Sequence, residues 1–239
     1  MTFFIPRDYA TLFLDGATIV SMISIMLMSS EARKRGRGDD RCFFGLLVLT
    51  CILAARDALG YLFEEKSVPG SRVLCTCGMT VYFLCFILIG IVWAHYCRIR
   101  FKDRGISAGN FLRPEYLPGA VMLALIVINI FTGWIFSYDE NVFYHRGVLY
   151  LLVYLVMAVY VVAGFAHLVR YRSKHSGRAV IPVWLYALPI VCGSVFTFAI
   201  PGSASFGPVG VGLSIAFTHI GTINEMLELS YKKSRKTSL

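Results

Sequence analysis

The chain has 239 residues, 57% of them hydrophobic, and a mean hydropathy of +0.67. That apolar share exceeds the roughly 45–50% of an ordinary globular chain and excludes water as its main solvent. Twenty-three Lys and Arg against 14 Asp and Glu leave a net charge of +9, and the placement of the basic residues ties that charge to membrane orientation and anionic lipid, not to nucleic acid.

Seven apolar runs follow one another: Tyr9 to Ser29, Phe43 to Phe63, Leu74 to Tyr96, Leu117 to Phe136, Val148 to Leu168, Val180 to Ile200 and Val209 to Leu227. At about 1.5 Å per residue, each is long enough to cross a hydrocarbon core of roughly 30 Å. A barrel strand would alternate in polarity, whereas these runs are apolar on every face. The predicted spanning element is therefore the α-helix, which satisfies its own backbone hydrogen bonds. The expected fold class is all-α: a polytopic membrane protein built as a bundle of seven transmembrane helices over residues 1–230, with a basic cytoplasmic tail over 231–239.

Met1 to Asp8 carry one Arg and one Asp, and no small-residue cleavage site follows the first run. It therefore reads as a retained helix, not a signal peptide. Asp15 lies in it, roughly 9 Å from the outer end, and Arg56 and Asp57 lie at a matching depth of roughly 9–10 Å in the second run. Intramembrane charges are costly and mark functional suspects. One reading is a structural ion pair of Asp15 with Arg56, with Asp57 facing another partner. The other makes Asp15, Arg56 and Asp57 the polar floor of an outward-facing ligand pocket lined also by Tyr61, Tyr82 and Trp134.

The third run holds Cys85 and ends near His95, with Cys75 and Cys77 at its outer end. A Cys-x-Cys pair is poorly spaced for a disulfide with itself. The seven cysteines read mainly as buried thiols acting as small hydrophobes. Prolines in Arg113 to Pro118 fit the start of the fourth helix, with Tyr116 as an interfacial anchor and Asn129 in the helix body as a cross-helix hydrogen-bonding group. In the sixth run Pro182 and Pro189 predict a kink or local unwinding near Leu188. Gly210 and Gly212 allow a neighbour to approach the seventh helix closely. That helix also carries His219 near mid-membrane, and Asn224 and Glu225 near its cytoplasmic end.

Orientation follows from Lys and Arg. Five lie between Arg33 and Arg41, five between Arg98 and Arg113, four between Arg170 and Arg178, and four between Lys232 and Lys236. The alternate segments hold only Arg7, Lys66, Arg72 and Arg146. The amino terminus is expected outside and the carboxyl terminus in the cytoplasm, in a bacterial inner membrane. Every connection is short, so no soluble domain is expected between helices.

The chemistry narrows the classes. The first Lys after the seventh run begins is Lys232, beyond the membrane, so a retinal Schiff base has no partner. The five His scatter over both faces and the middle, which disfavours a zinc hydrolase. A haem held by His95 and His167 would need both at one depth on facing helices. No Gly-x-Ser-x-Gly, His-Glu-x-x-His or Walker-type motif is present. Neither a metal nor a cofactor is expected, and the chain is not expected to be an enzyme.

Tyr171 to Ser230 combine a basic loop, a helix with Ile-Pro and Leu-Pro, an apolar turn with Pro-Gly, and a last helix ending in polar residues. This order resembles the end of the seven-helix sensor region at the amino terminus of many Gram-positive bacterial membrane diguanylate cyclases. The earlier helices resemble that family only in hydropathy and topology. The resemblance implies a signal sensed by the helices and passed through the last helix to a cytoplasmic GGDEF domain. No Gly-Gly-Asp-Glu-Phe motif occurs here, so the cyclase activity does not carry over, and the chain is either a sensor standing alone or the first part of a longer protein.

The expected function is a membrane-embedded, receptor-like sensor. It binds a small ligand from outside and signals through helix seven, with Pro189, Gly210, Gly212, His219, Asn224 and Glu225 in transmission. The alternatives are a small transporter or channel component and, less favoured, a membrane enzyme acting on lipid or quinone. Expected partners are the lipid bilayer, a small-molecule ligand and a cytoplasmic signalling domain or protein, with a homodimer left open and no nucleic acid.

Overall fold

The computed structural model of the chain describes residues 7–28, 38–63, 70–100, 114–174, 188–193, 195, 208–218 and 220–221. The long helices are α1 (Arg7–Met28), α2 (Gly38–Phe63), α3 (Ser71–Arg100), α4 (Leu117–Thr132) and α5 (Tyr150–Lys174), and a 3-10 turn, Pro114–Tyr116, leads into α4. Residues 188–193 are helical, and Pro208–Thr218 forms a further apolar helix, α6. Four helices are long and apolar enough to cross a membrane: Arg41–Gly60, Ser71–Ile99, Pro114–Thr132 and Tyr150–His167. They match the second to fifth runs of the sequence. The apolar part of α1, Leu12–Met28, is shorter. The remaining parts of the sixth and seventh runs lie outside the described residues.

The central helix is α3, packed against α2, α4 and α5, while α1 packs along α2. Glycines let these helices approach. A Cβ on Gly90 would sit 2.6 Å from Met157 Sδ, and one on Gly164 would sit 2.8 Å from Trp93 Nε1. Small residues at such crossings supply the close packing that holds helices together where lipid removes the hydrophobic drive. Hydroxyls inside the helices bond back to the carbonyl four residues earlier, as Thr18 does to Leu14 (2.9 Å) and Thr50 to Leu46 (2.8 Å). Such bonds leave no stray donor in an apolar surrounding. Outward faces carry exposed apolar side chains such as Phe13, Leu27, Phe131 and Val162, the exterior that a bilayer requires.

The chain is mostly helical, as expected of an all-α membrane protein, with one local exception between α4 and α5. There a two-stranded antiparallel hairpin forms from β1 (Phe136–Tyr138) and β2 (Tyr144–Arg146), with Phe136 opposite Arg146 and Tyr138 opposite Tyr144. The fourth run does not stay helical to Phe136. It ends at Thr132 because Gly133 takes the left-handed conformation (φ 65°) as a C-cap, its N–H donating to the Asn129 carbonyl, a conformation that glycine adopts without steric cost. The fifth helix starts at Tyr150, not Val148, and the third extends further at both ends than its apolar run.

Candidate functional site: an arginine beneath a tyrosine-rich hairpin

The hairpin is held from below by one side chain. Asn129, buried in the last turn of α4, accepts the N–H of Ile135 (2.6 Å) and of Phe136 (3.3 Å) on Oδ1 and donates Nδ2–H to the Phe136 carbonyl (3.0 Å). The sequence suggested a bond across helices. The amide instead clamps the chain that leaves its own helix, where three backbone groups would otherwise be buried without partners. At the base of the hairpin, Gly147 N–H donates to the Ile135 carbonyl (2.8 Å) and Leu149 N–H to the Trp134 carbonyl (2.9 Å). A Cβ on Gly147 would collide with the Trp134 carbonyl and lie 2.8 Å from the Gly133 oxygen.

At the tip, Asp139 Oδ1 accepts the N–H of Asn141 and of Phe143, both at 2.9 Å, and Oδ2 lies 3.2 Å from His145 Nε2. The Phe143 N–H is the main cause that holds the Asp139 carboxyl below its ordinary range, with His145 and the Asn141 N–H adding to it. Val142 is buried with φ 63°, an outlier for a β-branched residue that costs on the order of 1–3 kcal/mol and persists only where the surroundings enforce it.

Period-two alternation points Phe136 and Tyr138 inward and Ser137 outward. Tyr138 reaches α2, where its hydroxyl accepts Arg56 Nη2–H at 3.3 Å. Arg56 Nη1 lies 3.8 Å from Asp57 Oδ1, and its guanidinium lies over the Tyr82 ring, 5.7 Å from the centroid. Gly78 leaves room for the stem, since a Cβ there would be 3.3 Å from Arg56 Nε. Arg56 is 8% exposed, Asp57 2% and Asp15 0%. A cation this deep keeps its charge only when carboxylate, phenol and π face replace water.

Around the arginine stands an aromatic cluster. Phe83 contacts Phe136 (5.5 Å) and Tyr150 (6.0 Å), and Phe86 contacts Tyr82 (6.4 Å) and Tyr154 (5.5 Å). The Tyr150 and Tyr154 hydroxyls are 2.9 Å apart. Tyr144 packs on Phe136 and Tyr138, and its buried hydroxyl has no hydrogen-bond partner among the described residues. Burial pushes its ionisation far above the ordinary phenol range, so the ring stays neutral. The guanidinium of Arg146 sits over the Tyr150 ring at 4.9 Å.

The six residues expected to line the pocket fare differently. Arg56, Asp57 and Tyr82 come together. Asp15 is fully buried on α1. The Tyr61 side chain lies outside the described residues. Trp134 follows the end of α4, is 51% exposed and contributes its backbone carbonyl to the hairpin base. Arg56 lies beside its sequence neighbour Asp57, 3.8 Å away. Sequence reasoning missed Tyr138, Tyr144, Tyr150 and Tyr154. The signal was present in the alternating Phe-Ser-Tyr and Tyr-His-Arg around Asp-Glu-Asn, which has the form of two strands joined by a turn.

Of the transmission residues, Pro189, Gly210 and Gly212 are described. Gly210 lies directly against the Pro189 carbonyl, and a Cβ on it would be 3.2 Å from Gly193 Cα. Gly212 faces α1, where a Cβ would be 2.9 Å from Thr18 Cγ2. His219, Asn224 and Glu225 lie outside the described residues.

The opposite end of α3 carries a second polar group. His95 Nδ1 is 2.7 Å from the Tyr116 hydroxyl, Arg98 pairs with Glu115, and the Gly119 N–H donates to the Tyr160 hydroxyl (2.8 Å). Tyr116, expected as an interfacial anchor, is buried. No disulfide links the seven cysteines, and Cys77 and Cys192 are exposed, not buried. Among the described residues, no group of three or more His, Cys, Asp or Glu is placed to hold a metal ion.

Fold and site together define a helical protein with several apolar, membrane-length helices and a capped cluster of charge and tyrosine at one end. Comparison with family models, with curated proteins and with solved structures finds no match.

Proposed function

We propose that the chain is a seven-span sensor of the bacterial inner membrane, amino terminus outside. It receives a small solute at the Arg56 and tyrosine cluster and passes the change through α6 to a cytoplasmic partner. One observation carries this reading: Gly212 of α6 rests on Thr18, one helical turn along α1 from the buried Asp15. A solute that shifts the buried charges at this end of α1 moves the surface on which α6 packs. Binding does so only to the extent that it favours one arrangement over the other.

Transport is the alternative. Between Tyr82 and His95, α3 buries Phe83, Phe86, Ile87, Ile89 and Ile91, so an apolar stretch separates the two polar ends, where a transport path calls for continuous polar lining. This favours sensing.

The test is hydrogen exchange on the full chain in lipid nanodiscs, with amines, amino acids and organic acids added singly. A solute that slows exchange in the hairpin and alters it in 208–218 supports the sensor. Protection of the hairpin with an unchanged α6 removes signalling, and uptake of the same solute into proteoliposomes turns the reading to transport.

A further inference from the structure

The hairpin stands where two of the membrane-length helices end. Of the large apolar side chains among the described residues, the two most exposed are Phe131, in the last turn of α4, and Val148, just before α5, at 88% each. Trp134 and Leu151 beside them are more than half exposed. The Leu149 N–H donates to the Trp134 carbonyl and the Gly147 N–H to the Ile135 carbonyl, so the stretches that carry Trp134 and Val148 are tied into one apolar rim. Polarity changes within a few residues: Ser137 and His145, opposite each other on the strands, are exposed, and the tip carries Asp139, Glu140 and Asn141. An exposed Trp between apolar and polar side chains suits headgroup level, where its ring and its N–H are both satisfied.

Length separates the helices that carry this rim from the helix at the centre. At about 1.5 Å per residue, the 19-residue span Pro114–Thr132 and the 18-residue span Tyr150–His167 are about 27–29 Å long, close to a hydrocarbon core of roughly 30 Å, whereas the 29-residue span Ser71–Ile99 is about 43 Å. Pro114–Thr132 is also the least buried of the four spans and Ser71–Ile99 the most. The hairpin joins the two sets. Its base belongs to α4 and α5, while its inward side chains touch the others: Phe136 lies 5.5 Å from Phe83 of α3, and the Tyr138 hydroxyl accepts from Arg56 of α2 at 3.3 Å. That hydrogen bond is near the outer limit of length, so a shift of under about 1 Å breaks it.

We infer that the hairpin is a strap seated in the phospholipid leaflet on its side of the membrane, anchored by Phe131, Trp134, Val148 and Leu151, and that bilayer thickness sets the distance from Tyr138 to Arg56. The partner is lipid, and it regulates the cluster that the sensor reading makes the receiving site, on which this inference rests. A thicker bilayer draws the rim outward with the headgroups and lifts Tyr138 from Arg56, because α4 and α5 follow the lipid boundary while α2 is held along α3.

The experiment places the full chain in nanodiscs of myristoleoyl, oleoyl or erucoyl phosphatidylcholine, which differ only in acyl length, and reads residue-resolved hydrogen exchange. From oleoyl to erucoyl lipid, exchange of the β1 and β2 amides is expected to rise about tenfold, as for loss of one hydrogen bond to a charged group, with exchange in α3 unchanged. Tyr138→Phe should raise hairpin exchange in oleoyl lipid and leave it as it is in erucoyl lipid. Trp134→Ala is expected to flatten the dependence on acyl length, and Trp134→Tyr, which keeps an interfacial ring, to preserve it. Val148→Ser repeats the test should Trp134→Ala fail to fold.

Hairpin exchange that ignores acyl length, a rise equal in all helices, or a Trp134→Ala chain that responds as wild type does overturns the strap. A dependence on the number of copies per disc in place of acyl length also overturns it and gives the rim to a second copy of the chain. If a solute alters exchange in the hairpin and α6 while acyl length alters neither, the sensor stands without the strap. If acyl length moves the hairpin and leaves 208–218 unchanged, the strap stands without signalling.

Discussion

Arg56 and Arg98 mark the two ends of the bundle, and they are held in different ways. Arg56 is enclosed by Asp57, the Tyr82 ring and the Tyr138 hydroxyl from an element 82 residues away. Arg98 pairs with Glu115, whose side chain is 46% exposed. Buried charge is worth much to its surroundings because removing one partner strands the other, whereas an ion pair open to solvent is screened and worth about 0–1 kcal/mol. The first end is therefore a unit in which helix and hairpin depend on each other, and the second is a local fastening.

The largest effect that could break this contrast is at Arg56. Arg56→Ala leaves Asp57 buried without its guanidinium and is expected to cost about 3–5 kcal/mol, read as a loss of thermal stability in nanodiscs. Arg56→Met with Asp57→Leu should recover much of it, and if Arg56→Ala is silent the end is not a unit.

Next is Gly147→Ala, which sets a methyl group against the Trp134 carbonyl. It is expected to part the hairpin base from the chain after α4, with fast exchange at Gly147 and Leu149 N–H and a helical bundle that otherwise persists. Asn129→Ala follows, expected to cost about 1–3 kcal/mol for the buried backbone groups left unpaired and to speed exchange of the Ile135 and Phe136 amides.

Asp139 gives a pH test. Its carboxyl titrates below the ordinary value of 3.8 in the folded hairpin because the Phe143 and Asn141 amides and His145 favour the ionised form. Its contribution is thus fully present above the unfolded value and lost as pH falls through the lower folded one. Exchange at the Asn141 and Phe143 amides, corrected for its intrinsic pH dependence, should rise only at the acidic end, and Asp139→Asn should remove that rise. The smallest effect is at the other end: Glu115→Gln should change stability by under about 1 kcal/mol, and a larger loss would make the two ends alike.

Helix four shows where legibility stopped. Its start was readable from prolines and its apolar length from hydropathy, but the same apolar count carried the predicted helix on into Phe136, since Ile135 and Phe136 suit a spanning helix and a buried strand equally well. Gly133 was the local sign of a stop. At the site, Arg56, Asp57 and Tyr82 were legible because charge in an apolar run is rare and needs a reason. Tyr138 was not, because nothing in the spacing of residues 56 and 138 says that a hairpin folds back onto α2.

Composition and order alone determined that this chain is mostly helical, that several helices have membrane length, and which ionisable residues lie inside them, because length and polarity are properties of a segment by itself. Tertiary structure alone decided that Asn129 turns back to its own chain, that Trp134 faces outward, and that the tyrosines of a connecting hairpin enclose an arginine two helices earlier. Those outcomes depend on which backbone groups remain unsatisfied once the helices have packed, and that is a property of the assembled chain.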